Sequence, residues 1–128
     1  MSETVIEDRL KMYCVFAMES VAKMKGSRGK LASSAGHAYL HAYWDAAVRF
    51  PRPAESYTVG LAYKVTLKVD TVHELRVLEE AYRETHGVSL VVDAGLTVFD
   101  GPTAVCLGIG PIYDSECGEA LKSLKVLT

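Results

Sequence analysis

The chain has 128 residues, 14 of them basic and 16 acidic, for a formal net charge of -2, with 49% hydrophobic and 23% charged residues. This is the make-up of one ordinary globular domain; it excludes two domains and a uniformly basic nucleic-acid protein, though not a basic patch on one face. A chain of this length buries about two-thirds of its unfolded surface, enough for a core without disulfide or metal staples.

The three cysteines, Cys14, Cys106 and Cys117, are odd in number and lack C-x-x-C spacing. That fits neither a disulfide framework nor a zinc knuckle and points to a reducing compartment. Met1 to Leu10 carries Glu3, Glu7 and Asp8 without an apolar stretch, unlike a signal or transit peptide. No apolar run approaches the roughly 18 residues that span a membrane. The expectation is a cytoplasmic, membrane-free protein, with residues 1–9 a flexible segment ahead of one domain over 10–128.

In chain order, Leu10 to Met18 is rich in aromatic and apolar residues and reads as a buried strand. Glu19 to Gly29 gathers Gly26, Ser27 and Gly29 with Lys23, Lys25 and Arg28, the composition of a flexible basic loop. Leu31 to Arg49 is full of alanine, lacks proline and stops before Pro51, which predicts a long helix. Its first half is made of small residues that permit close backbone approach. Pro51 to Thr58 reads as a connector, and Leu61 to Val69 as an amphipathic strand with Lys64, Thr66 and Lys68 on one face. Asp70 or Thr71 can cap a helix over Val72 to Thr85, with Gly87 as its stop. A short strand over Ser89 to Val92, a loop over Asp93 to Gly101 and a strand over Thr103 to Ile109 follow. Asp114 to Ser123 reads as a last helix and Lys125 to Leu127 as a terminal extended piece.

Alternating strands and helices predict a single-domain α/β three-layer sandwich with a roughly four-stranded sheet and helices on both faces. Mostly parallel neighbours with right-handed crossovers are expected. The chain shows no repeat, low-complexity tract, heptad series or long charge run.

In open α/β sheets ligands bind outside the carboxyl ends of the strands, here the loops after Met18 and Val92. The first carries Lys23, Lys25, Arg28 and Lys30 and feeds a helix N-terminus, whose free amides also favour anions. It is not a Walker loop, since Gly29-Lys30 is followed by Leu31. A solvated basic loop is the competing reading. The second loop begins with Asp93, either a carboxylate tuned by burial or a turn-forming residue that bonds its own backbone. Thr103 offers a hydroxyl or is simply a strand former. His37 and His41 have metal-compatible spacing but no H-E-x-x-H pattern, so histidines satisfied by local hydrogen bonds are expected, with His73 and His86 at the surface. Cys14 and Cys106 are expected to pack as small hydrophobes, and no G-x-S-x-G elbow is present.

Taken together these blocks resemble the type-two peptidyl-tRNA hydrolase family, from about Leu10 to the C-terminus. Gly29-Lys30-Leu31-Ala32 followed by His37-Ala38 is similar to the family's Gly-Lys-x-Ala-Ala-Gln-x-x-His-Ala helix start. Asp93-Ala94-Gly95-Leu96-Thr97 is similar to its Asp-Ala-Gly-Arg-Thr loop, and Gly101-Pro102-Thr103 leading to Gly108-Ile109-Gly110-Pro111 to its Gly-Thr to Gly-Pro strand. Three blocks in order are far more specific than any one. The departures fall at polar positions: Ser34 for Gln, Leu96 for Arg and Val98 for Gln, with a connector over Pro51 to Gly60 that is shorter than the family's insertion.

The resemblance implies hydrolysis of the ester joining a peptide to the 3′ end of tRNA. Such a reaction needs a positioned water, a group to orient or deprotonate it, and donors for the developing oxyanion. The expected roles are Asp93 for the water, Lys30 for negative charge or a terminal phosphate, Thr97 or Thr103 for a hydroxyl hydrogen bond, and His37 acting at one remove. Lys23, Lys25, Arg28 and Ser34 are the expected substrate contacts, with Lys64 and Lys68 contributing to phosphate binding. No metal or other cofactor is required. The family default is a homodimer, for which Tyr39, Tyr43 and Trp44 supply aromatic surface. Two competing readings remain: an RNA- or protein-binding module on the same scaffold, and an unrelated hydrolase of small acyl substrates. A pure binder has no need of a carboxylate beside a basic pocket, which favours an enzyme.

Overall fold

The computed structural model describes residues 7–95 and 99–128. Strand β1 (Leu10–Ala17) lies inside the sheet and is apolar on both faces, as a strand covered on both sides must be. Met12, Cys14 and Phe16 enter the core on one side, and Tyr13, Val15 and Ala17 on the other.

The expected basic loop is half helix. Met18–Lys23 forms α1, and only the stretch after it turns, with Lys25 at φ 52° and Gly26 at φ 78°. The reason is tertiary: the buried Ser20 hydroxyl donates to the Ala104 carbonyl at 2.6 Å and Met24 is sunk in the core. Ser27 then caps α2 (Arg28–Arg49), its Oγ accepting from the Lys30 N–H at 3.2 Å, so this helix begins three residues earlier than the alanine-rich stretch suggests. The Pro51 to Thr58 connector is also a helix, α3 (Pro51–Val59). Its prolines sit in the first turn, where no N–H is needed, and Ala54 and Tyr57 are buried.

Strand β2 (Tyr63–Val69) runs parallel to β1. Helix α4 (Val72–Tyr82) starts from a Thr71/Glu74 capping box and ends before Thr85. Beyond it His86 is buried rather than exposed, its ring between Thr85 Oγ1 at 2.8 Å and Glu116 at 3.3 Å. Burial holds its pKa below the ordinary imidazole value, while His73 is exposed as expected. Strand β3 (Val88–Asp93) pairs with β4 (Thr103–Tyr113), which runs past Ile109. In place of one last helix, Asp114–Glu116 makes a 3-10 turn and Glu119–Lys122 forms α5, followed by the two-residue β5 (Lys125–Val126).

The sheet has five strands in the order β3-β4-β1-β2-β5. Among the described residues only β1 and β2 pair parallel, and the other three pairings are antiparallel; the connection from β3 to β4 is too short for a crossover, which reverses β4 against both β3 and β1. The three-layer architecture holds. Leu75, Leu78 and Leu121 cover one face of the sheet, and α2 covers the other through Ser34, Ala38, Ala42 and Ala46. Cys14 and Cys106 pack as buried, free thiols. Among the described residues no helix is long and apolar enough to cross a membrane.

The small-residue stripe lets α2 approach β4 closely. A Cβ on Gly108 would lie 2.1 Å from the Ala38 carbonyl oxygen, and one on Gly87 2.5 Å from that of Ala42. Gly108→Ala should therefore cost about 3 kcal/mol, the upper end of overpacking penalties. Urea unfolding measures this, and a wild-type midpoint for the variant would refute the tight contact.

Candidate active site

Three elements converge at one end of the sheet. The first turn of α2 supplies Lys30, the last residue of β3 is Asp93, and β4 begins with Thr103 directly opposite Asp93 in the register. Lys30 Nζ lies 2.6 Å from Asp93 Oδ2. The other carboxylate oxygen, Oδ1, accepts the Gly95 N–H at 2.8 Å. The turn-forming reading of Asp93 holds, since Oδ1 bonds its own backbone two residues on; Oδ2 meets a cation, so Lys30 rather than burial sets the charge of the carboxylate. The side chains are 25% and 14% exposed, so the pair is shielded from bulk solvent yet open to a substrate.

The Lys30 ammonium, helped by the Gly95 N–H, holds the Asp93 carboxyl below the usual carboxylate range. The loop that follows is pinched at its neck. Gly95 has φ +83°, and a Cβ there would lie 2.4 Å from the Gly101 backbone. Buried Phe99 anchors the loop in the α2-side core, and the Thr103 hydroxyl donates to the Gly101 carbonyl at 3.0 Å. Thr97, with Leu96 and Val98, lies outside the described residues.

The remaining expected residues separate into groups. Lys23, Lys25 and Arg28 are exposed between α1 and the start of α2, and among the described residues no ion pair engages them. Lys68 lies opposite Phe16 at the same end of the sheet, whereas Lys64 lies opposite Met12 at the far end, over the Tyr57 ring. Ser34 is buried against β4, its carbonyl accepting the Cys106 thiol at 3.5 Å. His37 is exposed on α2, about two turns beyond Lys30. It lines a cavity of about 200 Å³ with His41 and Ser89 to Val92, and its ring centroid is 5.5 Å from that of His41. No group of three or more His, Cys, Asp or Glu with metal-site geometry occurs among the described residues. Sequence reasoning missed Ser20, which pins the start of β4 and carries no local signal. It also missed the Gly95/Gly101 neck, which the paired glycines flanking the loop signal.

The fold and site define a small α/β domain with a cation–carboxylate centre at its strand ends. The family model described as Peptidyl-tRNA hydrolase PTH2 matches residues 10–127, and the chain belongs to that family. A relative from Methanopyrus kandleri named peptidyl-tRNA hydrolase is 39% identical over 105 residues, covering 81% of this chain and 90% of its own length. One of the same name from Methanocaldococcus jannaschii is 31% identical over 101 residues, covering 78% and 88%. The Drosophila melanogaster protein named probable peptidyl-tRNA hydrolase 2 is 29% identical over 123 residues; the match takes in 95% of this chain but 64% of the fly protein.

Titration of the Asp93 carboxyl, followed by carbon-13 NMR, should give a midpoint below the usual carboxylate range. Lys30→Met should move it upward. Because the folded value is depressed, the pair's contribution to stability is present above the unfolded pKa and is lost as pH falls through the folded one. A midpoint indifferent to Lys30 would show that the contact does not persist in solution.

Proposed function

We propose that the chain hydrolyses the ester between a peptide's C-terminal carboxyl and the ribose at the 3′ end of tRNA, releasing tRNA for reuse in translation. The observation that carries this reading is the shielded Lys30–Asp93 pair beside a basic segment with no ion partner among the described residues. Asp93, ionised at neutral pH, accepts a hydrogen bond from the attacking water and orients it toward the ester carbonyl carbon. Lys30 donates to the carbonyl oxygen as negative charge develops there, and the Thr103 or Thr97 hydroxyl adds a hydrogen bond. The bond from the carbonyl carbon to the ribose oxygen then breaks, the hydroxyl of water stays with the peptide, and the proton ends on the ribose oxygen. His37 acts at one remove, on the peptide side of the centre.

Lys23, Lys25, Arg28 and Lys68 meet backbone phosphates of the tRNA without reading its sequence. The position of Lys64 at the far end of β2 argues against a part for it in the same contact. Ser34 supports the helix from within rather than from the surface. A cytoplasmic setting belongs to the same reading, supported by three buried thiols that form no disulfide.

Asp93→Ala and Lys30→Ala should each lower kcat/KM for release of tRNA from N-acetylaminoacyl-tRNA by about 100- to 1,000-fold, with melting checked in parallel. A double Lys25→Ala, Arg28→Ala variant should weaken tRNA binding and flatten its salt dependence. Intact tRNA binding without any wild-type turnover would replace the enzyme with a binding module.

A homodimer is also proposed, supported by Leu40, Trp44 and Val48, which are 45%, 55% and 83% exposed at fourfold spacing on α2. Of the three aromatics expected there, Tyr39 and Tyr43 turn inward, toward Thr66 and Thr58, and burial pushes the Tyr39 phenol up to about 12. Sedimentation should give twice the 14.0 kDa chain mass, and Trp44→Glu should give one chain. A monomeric wild type at micromolar concentration would remove the claim.

A further inference from the structure

Strand β3 is an edge strand, hydrogen-bonded only to β4 among the described residues. The Gly110 N–H donates to the Gly87 carbonyl at 2.8 Å, and this sets the alternation along the pair. Residues 87, 89 and 91 aim their backbone groups at β4, and residues 88 and 90 aim theirs outward. The outward Val88 N–H is taken by Asp45 Oδ2 at 3.0 Å, and Arg49 grips the same carboxylate at 2.6 Å. The next outward groups are the Val88 C=O and then the N–H and C=O of Leu90. Above this stretch stand His37 and His41 of α2, forming with Ser89 to Val92 the cavity of about 200 Å³. That cavity ends at Val92, which is 51% exposed and covalently next to Asp93.

We infer that this groove holds the peptide of the substrate as an added strand on β3, running parallel to it, with its ester at Asp93 and Lys30. The inference rests on the hydrolase reading and extends it. Pairing to a strand edge reads the main chain and leaves alternate side chains free, so such a groove accepts a peptide by its backbone. From Leu90 to Asp93 is three residues, about 10 Å of strand. With the C-terminal residue opposite Asp93, the fourth residue from the ester faces Leu90. In a parallel ladder the third residue then donates its N–H to the Leu90 carbonyl, and the fifth offers its C=O to the Leu90 N–H. Asp45 occupies the Val88 N–H, so beyond that point the edge offers no free donor and peptide residues further out gain little.

The test compares kcat/KM of the wild-type protein on N-acetylaminoacyl-tRNA and on N-acetyl-pentapeptidyl-tRNA, and on the latter N-methylated at the second or the third residue from the ester. The longer substrate should be favoured about tenfold, the worth of two modest hydrogen bonds. Methylation at the third residue should remove most of that advantage, and at the second little of it. Leu90→Pro deletes the outward donor without deleting a ladder bond to β4 and should bring the ratio of long to short substrate toward one. Should that variant fail to fold, the methylated substrates decide on wild-type protein. Equal rates on all substrates, or equal losses at both methylated positions, overturn the groove and leave the hydrolase standing. Activity that falls as protein concentration rises, the mark of a second copy pairing along β3, overturns it too. If no substrate is cleaved at all, the hydrolase reading fails and the groove with it.

Discussion

The contact on which the rest depends is that of α2 with β4, where the Ala38 carbonyl rests against Gly108 with no room for a methyl group. Helices usually stand off a sheet by the depth of two side-chain layers; here one of those layers is missing. Ser34, Ala38, Ala42 and Ala46 on the helix, with Gly87 and Gly108 beneath, bring backbone against backbone. The consequence is positional. A 22-residue helix fixed along its length to the strand beside β3 has its first turn fixed as well, and Lys30 arrives at Asp93 without a loop to carry it. A site placed on regular elements keeps its geometry better than one held on loops.

That first turn is electrostatically inverted. Helix starts favour acidic residues, because the free amides carry partial positive charge, yet α2 opens with Arg28 and Lys30 and has no acid in its first turn. Among the described residues Asp93 is the one carboxylate in contact with Lys30, and the Gly95 N–H donates to its second oxygen. The pair therefore neutralises one cation locally and leaves Lys23, Lys25 and Arg28 to face solvent with the helix dipole behind them. Such an arrangement adds little to stability. It suits a site that must attract phosphate on one side and hold an ionised carboxylate on the other. The depressed pKa of Asp93 follows from the same geometry, and in the mechanism proposed above it keeps the group an acceptor for water rather than a source of protons.

The sequence made much of this legible where local pattern and tertiary demand agree. The apolar run of β1, the alanine-rich α2 and the Thr71 start of α4 each carry their signal in neighbouring residues. So does the site: Lys30 follows a glycine at a helix start, and Asp93 ends an apolar strand before a glycine. What stayed hidden depends on distant partners. Helix α1 exists because Ser20 reaches Ala104 and Met24 finds the core, neither of which its glycine-rich neighbourhood reveals. The prolines of α3 mimic a connector until their place in the first turn is known. His86 carries no local mark of burial; the fold brings Glu116, from the turn just past β4, against its ring. Parallel or antiparallel pairing likewise turns on whether a connection crosses the sheet, and the loop between β3 and β4 does not.

If the proposed function and groove hold, the site's location also sorts the substrate. The basic segment lies where α1 gives way to α2, and the edge strand β3 runs back from Asp93, which meets the first turn of α2 through Lys30. A molecule with a polyanion at one end and a neutral main chain at the other, joined by one ester, meets surfaces of matching character only in one orientation, with the ester between them. Neither surface needs to recognise sequence, since phosphates and backbone amides are common to every such substrate. Selectivity then comes from the junction. An ester with only one of the two ends would lose contacts on one side, and an amide-linked peptide, lacking the ribose leaving group, would offer Lys30 and Asp93 a far less reactive bond. The proposed reaction is in this way general in both halves of its substrate and narrow in the bond it cuts.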